Sequence, residues 1–502
     1  MMETQTDALI VGAGFAGIGL GAMMRRHGWN DFVVLERESD LGGTWRDNTY
    51  PGIACDVPSH VYSFSFRPYP AWSRLFAEGP EIHRYLRWVA DEEGVTEHIR
   101  FNTDVEQMNW DEDAGVWRCS TSNGEYVTKV LVLASGRLSD PNLPAVPGIE
   151  SFGEGDPSRV LMHSARWRRD VEWQGRRVVI VGSGASAVQL APELAGLAGD
   201  LTVMQRSAPY VVPKQDRPYS AAELGMFERV PEVMSRVRED WFWQQERVFA
   251  QRALVGSEVE AARSLALGHL ASQVSDTSLR DRLTPTYEIG CKRVLLSDTY
   301  YEALSRENVT LVDSPLASVE PGVLVAENGQ RVEADVAVFA TGFRSARQPY
   351  AERVFGAAGF SLSDEWAEGM HGFASIAIPG FPNLFVMNGP NAGLGHNSAI
   401  AMLETQIDYV MRAVEHMAAN RVGVISVLRE RADEYARMIA DLSTDTVWMR
   451  GGCESWYRDP VNGKLTLLWP GTTMSFRSVA GTFSAADYEC RLLEPTARFV
   501  SV

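Results

Sequence analysis

The chain has 502 residues and a formal net charge of -18; 45% of its residues are hydrophobic and 22% are charged. This length exceeds one compact core and predicts two or three domains. The acidic balance argues against a nucleic-acid partner, because phosphates require basic patches. The sequence shows neither a signal peptide nor a run of about 18 or more apolar residues, so we expect a soluble, cytoplasmic protein, and a monomer, without membrane contact.

The cysteines are scattered along the chain and never form a Cys-x-x-Cys pair. This spacing is typical of a reducing cytosol, and it counts against a dithiol redox flavoenzyme or a zinc site. The sequence therefore predicts no bound metal. The five cysteines are Cys55, Cys119, Cys291, Cys453 and Cys490.

The strongest pattern is a glycine fingerprint formed by Gly12, Gly14 and Gly17. It follows a short apolar strand at Asp7–Val11, and it precedes a helical pattern and a second strand that ends in Glu36. In this order the glycines let the backbone approach a pyrophosphate, and the helix N-terminus offers N–H donors. We therefore predict a dinucleotide-binding fold in which Glu36 accepts hydrogen bonds from ribose hydroxyls.

A second fingerprint follows the apolar run Arg177–Val181 and consists of Gly182, Gly184 and Ala187. Alanine in the third place is a common variant, because its small side chain still allows close packing of helix on strand. The next strand ends in Arg206. The sequence thus predicts an α/β protein with two Rossmann-like dinucleotide-binding domains.

The two fingerprints differ in the charge at one equivalent position. Glu36 and Arg206 each stand 24 residues after the first glycine of their fingerprint. A carboxylate there repels a 2′-phosphate, whereas an arginine can pair with it. The first site should therefore take a dinucleotide without that phosphate, which we predict to be FAD, and the second should prefer NADPH, unless Arg206 is only a solvated surface residue. Two such cofactors imply that electrons pass from nicotinamide to flavin.

Six further stretches, spread over nearly the whole chain, match one known family. On these stretches the sequence resembles the class B flavoprotein monooxygenases, and within them the type I Baeyer–Villiger monooxygenases. The stretches are Gly42–Asp56, Ala134–Ser139, Cys291–Arg293, Phe339–Phe343, Gly380–Phe385 and Gly389–Asn391.

The resemblance implies two discontinuous cofactor domains and a helical insertion that packs over the active site. The insertion also has its own pattern, since a capping box at Ser220–Glu223 opens a stretch of apolar residues at steps of three and four. The implied ranges are 1–150 and 351–502 for the FAD-binding domain, 151–215 and 284–350 for the NADP-binding domain, and 216–283 for the insertion.

The linker signature of the family is only partly kept. His163 and Trp167 reproduce its second half, but Phe152 stands 11 positions before His163 instead of 6. This departure indicates a loop insertion around 153–159, for which the sequence offers no physical reason. We expect His163 and Trp167 to serve in packing between domains and not in the reaction itself.

The resemblance also implies roles for individual residues. Arg293 would stabilise the anionic peroxide and the alkoxide formed on a ketone, and Asp56 would orient Arg293. Lys292 would join Arg206 at the 2′-phosphate. The alternative interpretations, without a catalytic role, are a surface cation for Arg293 and a turn cap for Asp56. Further residues implied to bind the cofactors are Gly43, Thr44, Trp45, Tyr50, Asp56, Thr341, Gly342 and Asn391.

The resemblance implies that the protein converts ketones to esters or lactones with NADPH, O2 and a C4a-peroxyflavin, with sulfide oxidation as a second activity. Two alternatives stay open. One is a flavin monooxygenase that acts on nitrogen or sulfur, and the other is a flavoprotein reductase or redox sensor that oxygenates nothing. The helical insertion favours ketones, because simpler flavin monooxygenases generally lack it.

Overall fold

Two separate sheets, each of which contains one glycine fingerprint, form the framework of the protein. The structure is a computed structural model and describes residues 3–492. Within this range the strands are β1 (Glu3–Val11), β2 (Phe32–Leu35), β3 (Ile99–Arg100), β4 (Val105–Asp111), β5 (Val116–Thr121), β6 (Gly124–Leu133), β7 (Val160–His163), β8 (Arg177–Val181), β9 (Asp200–Gln205), β10 (Val211–Val212), β11 (Leu295–Leu296), β12 (Val309–Asp313), β13 (Leu316–Glu320), β14 (Val323–Ala326), β15 (Arg331–Glu333), β16 (Val336–Phe339), β17 (Val354–Phe355), β18 (Leu384–Val386), β19 (Val422–Val427) and β20 (Tyr488–Leu492).

Helices cover the sheets and fill the segment before β11. None of those in residues 3–492 is long and apolar enough to span a membrane. The α-helices of this range are α1 (Phe15–Arg26), α2 (Thr44–Asp47), α3 (Gly79–Glu92), α4 (Ala185–Ala195), α5 (Ala221–Arg229), α6 (Pro231–Arg247), α7 (Phe249–Arg252), α8 (Gly256–Gln273), α9 (Thr277–Arg282), α10 (Tyr300–Leu304), α11 (Leu362–Glu365), α12 (Ala399–Asn420), α13 (Arg429–Ser443), α14 (Val447–Arg450) and α15 (Thr473–Ala480).

The first sheet contains strands from both ends of the chain. Its order is β17-β4-β5-β6-β1-β2-β3, and β18 also pairs with β6. β1 runs parallel to β2 and β6, and α1 packs against α12. Residues Ala8, Leu9 and Ile10 are all buried, as expected for a strand covered on both faces. The chain therefore leaves the first fold after β6 and returns to it near β17.

The second sheet has the order β12-β9-β8-β16-β7 and is parallel throughout. α4 follows β8, as α1 follows β1 in the first sheet. The predicted α/β fold with two Rossmann-like domains is thus confirmed. The strands agree with the discontinuous course of the chain, while the domain boundaries given above stay a prediction.

The segment expected to form the insertion contains helices α5 to α9 and no strand. The capping box is present: the Ser220 hydroxyl accepts from the Glu223 backbone N–H, and the Glu223 carboxylate accepts from that of Ser220. Pro231, which breaks the sequence pattern, stands at the first position of α6, where its missing N–H costs nothing.

A buried carboxylate fixes this insertion to the C-terminal half of the chain. Glu246 on α6 accepts hydrogen bonds from the Asn397 side chain and from the Met474 backbone N–H, both at 2.9 Å. His396 Nε2 lies 3.5 Å from the same carboxylate. Burial raises the pKa of Glu246, but these donors outweigh it and lower the pKa to about 2. Glu246 is therefore ionised, and each of its carboxylate oxygens accepts a hydrogen bond.

Replacing Glu246 with glutamine is expected to destabilise the protein by about 1–3 kcal/mol, because an amide N–H would then face these donors. The melting temperature of the FAD-loaded protein measures this loss. Since the pKa of Glu246 falls from 4.5 to about 2 on folding, its contribution is present above pH 4.5 and decreases as the pH falls toward 2. Glu239→Gln, on the exposed face of the same helix, is the control and should melt like the wild type. Equal melting of both variants would contradict the assignment.

The linker residues lie at the edge of the second sheet. His163 ends β7 and is buried; its Nδ1 accepts from the Ala165 backbone N–H at 3.1 Å, and its ring packs edge-on against Phe343. Burial lowers the pKa of His163 to about 4, so the ring is neutral at pH 7. Trp167 stacks on Trp173 with ring centroids 4.8 Å apart. These are packing contacts within the second fold, so the expected role of His163 and Trp167 in packing between domains stays a prediction.

Candidate active site

Each glycine fingerprint opens with a turn that only glycine can make at low cost. Gly12 has φ = +111° and Gly182 has φ = +124°. A Cβ atom would lie 2.6 Å from the Ala134 carbonyl oxygen at Gly12, and 2.5 Å from that of Ala340 at Gly182. At the end of each strand, the backbone therefore lies too close to a neighbouring backbone for any side chain to fit. This is the close approach that the fingerprint predicts.

The second glycine of each fingerprint borders open space. Nothing lies within 4 Å of a Cβ atom built at Gly184, and at Gly14 the nearest atom is 3.9 Å away. These glycines are the N-caps of α4 and α1, and no side chain caps either helix. Their first N–H groups are thus available to a pyrophosphate. Gly17 and Ala187, the third residues of the two fingerprints, lie in the first turns of α1 and α4, and both are buried.

Glu36 lies against the first glycine turn. Its carboxylate accepts from the Ala13 and Glu38 backbone N–H groups, both at 3.0 Å, and pairs with Arg46 at 2.9 Å. The acid is therefore held beside the predicted pyrophosphate position. Gly43 packs on the same turn, since a Cβ built there would lie 3.4 Å from Gly14 Cα.

The corresponding position of the second fold carries two cations. Arg206 is 66% exposed, and its closest carboxylate is Glu454 at 4.0 Å. The Lys292 ammonium donates to the Ser207 hydroxyl at 2.7 Å and lies 4.9 Å from the Tyr287 ring centroid. Burial and the charge of Arg206 lower the pKa of Lys292. The two positive charges repel each other, so this position is suited to binding a dianion such as a phosphate.

The two folds share one cavity of about 1920 Å³. The sequence-predicted residues in its wall are Thr44, Trp45, Tyr50, Asp56, Gly182, Gly184, Arg206, Lys292, Arg293, Thr341 and Gly342. Outside its wall lie seven other residues predicted to bind the cofactors, namely Gly12, Gly14, Gly17, Glu36, Gly43, Ala187 and Asn391.

Arg293 and Asp56 form a bidentate ion pair in the wall of this cavity. Arg293 Nε lies 2.6 Å from Asp56 Oδ2, and Nη2 lies 2.7 Å from Oδ1. Their side chains are 31% and 24% exposed, and both line the cavity. The carboxylate raises the pKa of Arg293. Burial alone would raise the pKa of Asp56, but the guanidinium outweighs it and lowers the pKa.

Tyr50 joins the first fold to the second. Its hydroxyl donates to Gln189 Oε1 on α4, and the Gln189 amide donates to the Ala54 carbonyl, both at 2.9 Å. Gly52, with φ = +79°, lets the loop approach the backbone of α4. Burial raises the pKa of Tyr50 to about 12, so this hydroxyl stays a donor. The sequence indicated Tyr50 as a cofactor contact but gave no signal for Gln189.

Three other predicted residues have partners within the protein. Trp45 donates its indole N–H to the Tyr62 hydroxyl at 3.2 Å, and Thr341 donates to the Asn142 carbonyl at 2.6 Å. Asn391 donates its side-chain amide to two backbone carbonyls and is buried. Its amide nitrogen thus holds the loop, and any cofactor contact at this position has to come from other atoms.

A disulfide joins Cys291 to Cys453, which are 162 residues apart in sequence. The spacing of the cysteines gave no hint of this pair, and the interpretation as unpaired thiols of a reducing cytosol does not hold for these two. Cys55, Cys119 and Cys490 are free. The bond ties the segment that carries Arg293 to the loop after α14, which contains Cys453.

This pairing predicts a defined thiol count. Denatured but unreduced protein should take up three alkyl groups, and reduced protein five, as measured by intact mass. Cys453→Ser should leave four reactive thiols without reduction, whereas Cys490→Ser should leave two. Five alkyl groups on unreduced wild-type protein would contradict the disulfide.

The fold and this cavity define an oxidoreductase with two dinucleotide-binding domains. The sequence pattern of the pyridine nucleotide-disulphide oxidoreductase family matches residues 9–225. A Baeyer-Villiger monooxygenase of Streptomyces coelicolor is 41% identical over 96% of this chain and 92% of its own length. One of Pseudomonas aeruginosa is 39% identical over 95% and 90%. The chain belongs to the Baeyer-Villiger monooxygenase family, and the resemblance noted in the sequence is confirmed.

A solved structure agrees with this membership. Cyclohexanone monooxygenase from Rhodococcus sp. Phi1, bound to NADP+, superposes with a TM-score of 0.85 at 27% identity. The superposition covers 98% of this chain and 100% of that one. The likeness therefore includes both sheets and the insertion between them.

Proposed function

We propose that the protein is an FAD-dependent monooxygenase that uses NADPH and O2 to convert ketones into esters or lactones. The observation that carries this proposal is the Arg293–Asp56 pair, which faces the cavity shared by the two folds. In the balanced reaction NADPH supplies two electrons and a proton is taken up. One oxygen atom of O2 enters the ketone, and the other leaves as water.

The first fold would hold FAD. The N–H groups at the start of α1 would bind its pyrophosphate, and Glu36 would accept from a ribose hydroxyl. Trp45 and Tyr50 would form walls of the flavin pocket. When bound, the flavin supplies the oxygen-activating chemistry that no amino-acid side chain offers.

The second fold would hold NADPH. The open space at Gly184 and the uncapped start of α4 fit a pyrophosphate. Arg206 and Lys292 would bind the 2′-phosphate, and the Thr341–Gly342 turn would border the cofactor at the end of β16, the neighbour of β8. The neighbouring Glu454 would weaken this binding site, since its carboxylate opposes the same phosphate.

Arg293 would act directly on the reacting groups. Nε and one N–H of Nη2 are taken by Asp56, so the remaining N–H groups can donate to oxygen atoms that gain negative charge as the ketone reacts. Asp56 would be a positioning residue, because a bidentate partner restricts rotation of the guanidinium plane. The pKa of Arg293 is raised by Asp56, which keeps the cation charged throughout.

Product analysis tests this proposal. Purified protein with FAD, NADPH and air would be incubated with linear, cyclic and aromatic ketones, one sulfide and one amine. We expect esters or lactones heavier by one oxygen atom, and sulfoxide as a side activity. Sulfoxide or N-oxide alone would assign the protein to heteroatom oxygenation. Hydrogen peroxide as the sole product would support a reductase or sensor.

We also propose that the protein works as a monomer in the cytoplasm. The formal net charge of -18 opposes self-association, and NADPH is a reductant of that compartment. Disulfides are uncommon there, so this location requires a Cys291–Cys453 bond that resists the thiols of the compartment. Light scattering at low and high protein concentration should give a mass near 55.6 kDa in both cases. A mass that doubles with concentration would contradict the monomer.

A further inference from the structure

A buried arginine in the Ala134–Ser139 stretch has no carboxylate partner. Arg137 is 8% exposed; its Nη1 donates to the Leu467 carbonyl at 2.7 Å, and its Nη2 donates to the Asn388 side-chain oxygen. Both acceptors are neutral, and within residues 3–492 this guanidinium forms no ion pair. Burial lowers the pKa of Arg137 to about 10, so the group stays charged at pH 7. A buried cation without a counter-charge is costly and calls for an explanation.

Arg137 lies at the edge of the first sheet where a Rossmann-like fold binds its ligand. β1, β6 and β18 are parallel and end side by side, since Val11 is in register with Leu133, and Leu133 with Val386. The first glycine turn follows β1 directly, Arg137 follows β6 by four residues, and Asn388 follows β18 by two. Ligands of such sheets bind outside the carboxyl ends of the strands. The guanidinium and the start of α1 thus lie at the same edge of the sheet.

Two neighbours of this guanidinium line the large cavity. Leu138, the next residue in the chain, is one of them. A Cβ atom built at Gly393 would lie 2.7 Å from Arg137 Nη1, and Leu394, which follows Gly393, is the other. Arg137 is therefore packed directly behind the cavity wall, with a charge that no paired carboxylate cancels in the described part of the chain.

We propose that the charge of Arg137 favours reduction of the bound flavin. A hydride from NADPH brings two electrons and one proton and leaves NADP+, so the flavin gains one negative charge. In the effective dielectric constant of about 20 inside proteins, a unit charge acts over roughly 10 Å without direct contact. The inference rests on FAD in the first fold, as proposed above, but not on the product that the enzyme makes.

Asn388→Asp tests the inference because it gives Arg137 the carboxylate that it lacks. The new charge would stand where the Asn388 side-chain oxygen accepts from Arg137, at a backbone φ of +53° that aspartate also tolerates. We expect reduced flavin to be bound about tenfold less tightly relative to oxidised flavin, which lowers the midpoint potential of this two-electron couple by about 30 mV. Reduction of the FAD-loaded protein beside a dye of known potential measures the shift. A higher melting temperature with an unchanged potential would make Arg137 merely structural and overturn the inference.

Two substitutions of Arg137 itself separate its charge from its packing. Arg137→Lys keeps the charge and should leave the relative affinity for the two flavin states within about twofold of the wild type. Arg137→Gln keeps a donor for the Leu467 carbonyl but loses the charge, so it should lower the potential as Asn388→Asp does. Arg353→Gln is the control, since it removes an exposed cation that pairs with Asp104 at 3.5 Å beside β17, at the outer edge of the same sheet.

The potentials also separate this inference from the proposed function. Wild-type potentials in Asn388→Asp and Arg137→Gln would overturn the inference even if the enzyme oxidises ketones. Lowered potentials in a protein that makes no ester from any ketone would support the inference and refute the proposed function instead. A protein that binds no FAD would refute both.

Discussion

Replacing Arg293 with alanine is expected to lower the rate of ester formation at least about 100-fold, while NADPH still reduces the bound flavin. A single donor to a developing oxyanion is worth about 10²–10³ in kcat, and Arg293 has several N–H groups that Asp56 does not occupy. Stopped-flow absorbance would follow flavin reduction, and gas chromatography would follow the ester.

Two further variants make this prediction sharper. Arg293→Lys keeps the charge but cannot form the bidentate pair with Asp56, so we expect an intermediate loss. Arg331→Ala removes an exposed arginine at the start of β15 that pairs with Glu320 on β13, and it should change nothing. If Arg293→Ala made ester at the wild-type rate, the guanidinium would have no part in the reaction.

Replacing Arg206 with alanine is expected to raise KM for NADPH about tenfold or more and to leave KM for NADH nearly unchanged. A charge-assisted contact to a phosphate is worth about 1.5–3 kcal/mol, and NADH lacks that phosphate. Steady-state oxidation of each coenzyme with one fixed ketone would give both constants.

Glu454 and Lys292 provide controls of opposite sign. Glu454→Gln removes the carboxylate 4.0 Å from Arg206 and should lower KM for NADPH. Lys292→Ala should raise it, because its ammonium lies beside Ser207 in the same place. Equal changes for NADPH and NADH in Arg206→Ala would show that Arg206 does not distinguish the two coenzymes.

Local sequence was sufficient for the two glycine turns. Gly12 and Gly182 adopt a backbone conformation with positive φ, and Gly14 and Gly184 border open space. Both features depend on a few consecutive residues. The charges at Glu36 and Arg206 could be compared because equal spacing places them at equivalent strand ends. The fold class followed from these segments for the same reason.

Contacts between distant segments left no such pattern. Gln189 supports Tyr50 from another domain, and Glu246 binds the backbone of Met474 across more than two hundred positions. The Cys291–Cys453 bond has the same origin. Such pairs depend on how whole elements pack, which no spacing within one segment encodes.

Because the chain returns to its first sheet late in the sequence, neighbouring strands of that sheet leave the ribosome at different times. β6 ends at Leu133, but its parallel neighbour β18 begins only at Leu384. At roughly 5–20 residues per second, the Leu131–Leu133 end of β6 therefore waits about 10 to 50 s for this partner, while β1 already pairs with it on the other side. The second sheet is complete in the emerging chain once β16 has left the exit tunnel. Chaperones that shield strand edges are thus most needed while the middle of this protein is being translated.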